Sequence, residues 1–147
     1  MGTYDYAIGN TTPKWDDHGG LIRLQQVMNA ADIIASNATL TTAAKITAND
    51  IIQAINVPAG FVVLSVGVNV TTAGTAGGTV DIGLAGGSEV VAALDVVTTG
   101  YRVIAVAATW GFNNASKLFT ADDTIDVQYL ADETIGSFTI TVVGYQL

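Results

Sequence analysis

The chain has 147 residues, long enough to bury about two thirds of the surface its unfolded form would expose, so it is expected to fold without a covalent staple. Half of it is hydrophobic and only 12% is charged, and Val, Ile and Thr number 17, 13 and 19, together a third of the residues, which is a β-sheet composition. Five basic residues against thirteen acidic ones leave a net charge of −8, a field that repels a phosphate backbone, so nucleic acid is excluded as a partner. The absence of Cys removes disulfides, thiolate metal sites and cysteine nucleophiles, and a single His, His18, argues against a His-based metal site. The start Met1-Gly2-Thr3-Tyr4-Asp5-Tyr6 lacks the basic and apolar run of a secretory signal, and no apolar stretch approaches a membrane span. A cytosolic origin, solubility and no membrane partner are the expectations.

Residues 1–20 hold Pro13, four glycines and no periodicity, and read as an extended arm. The arm also carries Tyr4, Tyr6, Ile8 and Trp15, side chains that gain by docking on their own domain or on another chain, and these four form a candidate interface. Residues 21–35 fit a helix at Leu21, Leu24, Met28, Ala31 and Ala35 but also a strand at Ile22, Leu24 and Gln26, with strand plus turn the favoured reading. Residues 1–49 are therefore assigned to an arm and peripheral segment, and 50–147 to a β-sandwich.

From Asp50 onward apolar and polar residues alternate between turn signals, as in short antiparallel strands. Ile51, Ile55 and Val57 share a face up to the turn Pro58-Ala59-Gly60. In 61–70 the alternation places Val62, Leu64, Val66, Val68 and Val70 on one face, with Ser65, Gly67 and Asn69 on the other. Residues 71–78 are glycine-rich and predict a hairpin loop; Val80, Ile82 and Leu84 then point inward before a turn at 85–88. The stretch 89–97 is less regular, whereas 101–110 is apolar on both faces and predicts a covered, central strand. Two further strands, 124–129 and 137–142, follow acidic runs and are expected to pair as a hairpin. The whole predicts an all-β, antiparallel β-sandwich, jelly-roll-like, with another Greek key as the alternative.

Candidate chemistry is sparse. His18 sits in the turn-like Asp16-Asp17-His18-Gly19-Gly20, with no nucleophile assigned to it. Asp122-Asp123, Asp126 and Asp132-Glu133 offer oxygens but lack the spacing of a calcium loop, and carboxylates just before strands form turns and charge edges. The glycine clusters at 74, 77 and 78 and at 83, 86 and 87 run into strands rather than opening a helix, so they are turns and not phosphate loops. The triplets at Asn10, Asn37, Asn69 and Asn114 have the glycosylation pattern but no secretory context, and carry no function. Trp110 and Phe112 with Tyr101 form a candidate aromatic surface, able to stack on a sugar ring or to pack in an interface. No catalytic residue, metal or cofactor is expected, so the chain is read as non-enzymatic. Strands apolar on both faces leave apolar surface to spare, which points to assembly.

The run Met1 to Gly9, the valine-rich strand after Val57-Pro58-Ala59-Gly60, Thr79-Val80-Asp81-Ile82-Gly83, and Ala121-Asp122-Asp123-Thr124-Ile125-Asp126-Val127 resemble small virion structural proteins of tailed bacteriophages, cyanophages in particular, among them capsid decoration or cement proteins. The similarity covers most of the chain in order, through short motifs of common β residues. It implies a β-sandwich that oligomerises, as a trimer or dimer, on the capsid exterior and clamps the major capsid protein lattice. Such a protein is a virion component synthesised in the host cytoplasm. A tail or fibre component, or a carbohydrate- or receptor-binding module, is the alternative.

Overall fold

The computed structural model describes residues 1–5, 21–104 and 117–147. Among the described residues ten strands and two short helices follow in order: β1 (Thr3–Asp5), β2 (Ile22–Asn29), α1 (Ala30–Ser36), α2 (Ala38–Ala43), β3 (Ile51–Val57), β4 (Phe61–Thr72), β5 (Thr79–Gly83), β6 (Val91–Asp95), β7 (Gly100–Ile104), β8 (Lys117–Leu118), β9 (Asp123–Tyr129) and β10 (Ser137–Gln146). They form two sheets. The first has the order β1-β3-β9-β5-β6; the second has β2-β10-β4-β7, with β8 also on β4. Among the described residues all pairings are antiparallel except β1 on β3, which is parallel.

This is an all-β sandwich whose core lies between the sheets. The first sheet contributes Ile52, Ile55, Ile82, Ile125 and Val127, and the second Met28, Phe61, Val63, Val66, Val68, Ile140 and Val142, all fully buried. Each such side chain stabilises the fold by about 1.5–3 kcal/mol relative to exposure. Tyr129 of β9 and Phe138 of β10 meet across the gap at 6.5 Å between ring centroids, tilted by 50°.

Residues 21–49 are not peripheral. β2 pairs with β10 along its whole length, from Ile22↔Gly144 to Asn29↔Ser137, and Leu24, Met28, Ala30, Ile33, Leu40 and Ile46 join the core. The ambiguous stretch 21–35 resolves into a strand followed by a helix rather than a turn. Asn29 makes the switch: its Oδ1 accepts the Ala31 and Asp32 N–H groups at 3.0 and 3.2 Å, satisfying donors that a helix start leaves open. Asn37 ends α1 and caps α2 in the same way, accepting from Thr39 and Leu40 at 2.9 and 3.4 Å.

Two connections expected as hairpins cross between sheets instead. β4 belongs to the second sheet and β5 to the first, so 73–78 carries the chain over the sandwich. Likewise β9 pairs with β3 and β5 while β10 pairs with β2 and β4, so the last two strands face each other rather than pair. Short polar, glycine-containing loops serve both purposes, and alternation within a strand does not name its neighbour. The 84–90 connection is a true hairpin, since β5 and β6 pair.

Bulges change two expected faces. Opposite β10 the register runs Val143↔Ser65 and then Gly144↔Val63, leaving Leu64 as the extra residue. Val66, Val68 and Val70 face inward as expected, but below the bulge Phe61 and Val63 do so, and Leu64 is turned out to 38% exposure. A second shift in β3, between Gln53 and Ile55, puts Ile52 in the core beside Ile55 and Val57, while Ile51 is only half-buried. Of the strand expected at 101–110, β7 accounts for residues up to Ile104; 105–110 lie outside the described residues. Among the described residues β7 pairs with β4 alone and ends its sheet.

Candidate interaction surfaces

The acidic runs serve as turn locks. Asp122 Oδ1 accepts the Ala59 N–H at 2.8 Å, tying the entry to β9 onto the β3–β4 turn. Asp132 accepts the Ala48 N–H at 2.9 Å and pairs with Lys45 Nζ at 2.6 Å, both side chains being roughly half-exposed. Among the described residues no three His, Cys, Asp or Glu side chains come together to hold a metal ion. His18 lies outside the described residues.

Among the described residues three carboxylates are buried, a feature that sequence reasoning missed. Glu133 accepts the Thr75 N–H at 2.9 Å and the Thr75 hydroxyl at 2.5 Å through Oε1, which also takes the N–H groups of Thr134 and Ile135 at 3.0 and 3.1 Å. Its backbone exchanges two 2.9 Å hydrogen bonds with Ile46. The available signal was the glycine at 74, where a Cβ would collide with the Glu133 carboxylate. Asp50 accepts the N–H groups of Gly2 at 2.7 Å and Thr47 at 2.9 Å, fixing the first residues beside β3. Asp126 stands in the middle of β9 beneath the β5–β6 hairpin and accepts the Thr124 hydroxyl at 2.7 Å. Burial pushes its carboxyl above the usual Asp range; the Thr124 hydroxyl opposes that rise and the neighbouring Asp123 adds to it.

The candidate aromatic residues do not converge where they are described. Tyr4, on β1 at the edge of the first sheet, is half-buried and packs against the core. Tyr101, on β7 at the far end of the second sheet, is 63% exposed, and its ring lies over Gly67, where a Cβ would crowd the phenol. Tyr6, Ile8, Trp15, Trp110 and Phe112 fall outside the described residues.

The two sheets differ sharply in charge. The strands of the first carry Asp5, Asp81, Asp95, Asp123 and Asp126 with no Lys or Arg. Those of the second carry Arg23, Arg102 and Lys117 with no acid at all. Arg102 lies opposite the inward-facing Val68 and reaches Thr98 O at 3.2 Å and Asp95 Oδ2 at 3.9 Å, spanning the open edge between β7 and β6. Exposed large apolar side chains follow the same division. Val27, Leu64, Tyr101, Leu118 and Tyr145 all stand on the second sheet, and none stands on a strand of the first.

The molecule is similar in fold to chains of solved phage capsids. It matches a chain of the capsid of Ralstonia phage GP4 over 99% of its own length and 97% of that chain, with a TM-score of 0.66 and 17% identity. A chain of the cyanophage Pam1 capsid asymmetric unit matches over 93% of this chain and 92% of that one, with a TM-score of 0.60 and 18% identity. This is a fold that phage capsids contain. At such identities the fold is what is shared. No protein-family model and no curated protein matches the sequence.

Proposed function

We propose that this chain is a non-enzymatic structural protein of a phage virion, a decoration or cement protein that binds the outer face of the head and stabilises the major capsid protein lattice. The observation that carries the reading is the end-to-end match, over 99% and 97% of the two chains, to a component of the Ralstonia phage GP4 capsid.

Three features support it. The strand order supports jelly-roll connectivity: β2-β10-β4-β7 facing β3-β9-β5-β6 interleaves the eight long strands as two Greek keys. A net charge of −8 suits the exterior of a head better than the side facing packaged DNA. The acid-free, partly apolar second sheet suits a protein that works by contact, with copies of itself or with the lattice. The arm residues Tyr4, Tyr6, Ile8 and Trp15 and the aromatic residues Tyr101, Trp110 and Phe112 are the proposed contact groups. Binding only to the mature lattice would lower that state's free energy by mass action and so resist rupture.

The test is addition of the purified protein to undecorated heads, followed by cryo-microscopy and an osmotic or thermal rupture assay. Stoichiometric density on the outer surface and a raised rupture temperature are expected. Heads that stay bare, or density confined to the tail, would reject the reading.

A further inference from the structure

The outer face of the second sheet is built differently from the rest of the molecule. Val27 on β2 lies opposite Thr139 on β10, Thr139 opposite Asn69 on β4, and Asn69 opposite Tyr101 on β7, so one uncharged row crosses all four strands. Val27 is 49% exposed and Tyr101 63%. At the other end Tyr145 lies opposite Val62, with Leu64 turned out beside it by the bulge. Among the described residues, the one ionised side chain that the strand alternation places on this face is Arg23, near the end of the edge strand β2.

We infer that this face is a self-association surface, by which two copies of the chain pack second sheet against second sheet about a two-fold axis. Charge selects the occupant. A chain of net charge −8 repels its own copies, and the second sheet is the strand surface on which they can meet without opposing an acid. The face is also chemically self-complementary, as a two-fold interface requires: apolar and neutral polar groups on both sides, no buried charge in need of a counter-charge, and an aromatic anchor at one end. β2, β10 and β4, about 4.8 Å apart and paired over some eight residues, with the five-residue β7 beside them, cover roughly 470 Å². That is about 500 Å² per copy and about 1,000 Å² in total, at the low end of specific interfaces, so the dimer is expected to dissociate in the micromolar range. The inference does not depend on the capsid reading, since it concerns the isolated chain.

Sedimentation equilibrium of the full chain over about 1–100 µM tests it, beside Val27→Glu, Tyr101→Glu and the control Ile135→Glu, an exposed apolar loop residue off this face. The wild type and the control are expected to dimerise equally, and each face variant to weaken dimerisation at least about tenfold by placing an acid on the face where two negatively charged copies meet. Added salt should strengthen the dimer by screening the net charge; a charge-paired contact of first sheet on second would instead weaken. Val27 and Tyr101 stand on opposite edge strands, so thermal melts of both keep the test valid if one variant misfolds. A wild type that is monomeric at 100 µM, face variants that associate normally, or a control equally impaired would overturn the inference. So would a monomeric chain whose binding to undecorated heads is lost in the face variants, because the occupant would then be the shell. Head binding that fails in every variant and the wild type alike would reject the capsid reading alone.

Discussion

Glu133 and Thr75, 58 residues apart in the chain, are joined by two backbone and one hydroxyl contact between them, with the Thr75 N–H shared between both carboxylate oxygens at 2.9 and 3.0 Å. The pair fastens the β4–β5 crossing to the β9–β10 crossing, two of the places where the chain changes sheets. Glu133 is 3% exposed, so its charge is carried by these donors and by the Thr134 and Ile135 amides rather than by water.

Removing that carboxylate leaves several buried donors unmet. Glu133→Ala should therefore destabilise the chain by about 3 kcal/mol in urea unfolding, and Thr75→Val, which keeps the N–H contacts, by about 1 kcal/mol. The double variant should lose less than the sum, because the hydroxyl bond is already gone in either parent. Additive losses would mean that the two residues act separately.

The bulge at Leu64 reverses which side chains matter in the first part of β4. Val63→Ala should cost about 2 kcal/mol and Leu64→Thr under about 0.5 kcal/mol, measured by the same unfolding curves. Unbroken alternation through Leu64 would give the opposite ranking.

Close approach of the two crossings makes one glycine irreplaceable. At Gly136, φ is +100° and a Cβ would stand 2.6 Å from Gly74 Cα, so Gly136→Ala should cost about 2–4 kcal/mol. Gly77 has a φ of +81° but open space around it, and Gly77→Ala should cost only about 1 kcal/mol. Thermal unfolding of the two variants separates backbone strain from collision.

Stability should depend on pH in two opposed ways. Asp126 is raised by burial, so its contribution is fully present below the ordinary Asp range and is lost as pH rises through its elevated value. Asp95, held low by the Thr98 hydroxyl and the Val97 N–H, and Asp132, held low by Lys45 and the Ala48 N–H, contribute above the ordinary range and lose that contribution as pH falls through their depressed values. Asp126→Asn should thus gain stability over the wild type at neutral pH, with the gain vanishing in acid. Asp132→Asn should lose stability at neutral pH, with the loss vanishing in acid. Melting temperatures of the three proteins between pH 3 and pH 8, on the order of one reading per half unit, check both signs.

The sequence by itself determined the class of fold and the strand content. Alternation in Thr79-Val80-Asp81-Ile82-Gly83 and in 137–142 marks strands because side chains there must face core and outside in turn, and both are strands. The want of acids in β2, β4, β7 and β10 was equally present in the letters, but acquires meaning only once those strands are seen to share a sheet. Tertiary structure decided the pairings: whether 130–136 closes a hairpin or crosses the sandwich depends on partners such as β2 and β4, which lie far off in sequence. It also decided the bulge that turns Leu64 outward, the caps at Asn29 and Asn37 that turn part of a supposed periphery into helix, and the burial of Asp50, Asp126 and Glu133. In each case the deciding energy is a hydrogen bond or a contact to a group that is not a neighbour along the chain, and periodicity reports only on neighbours.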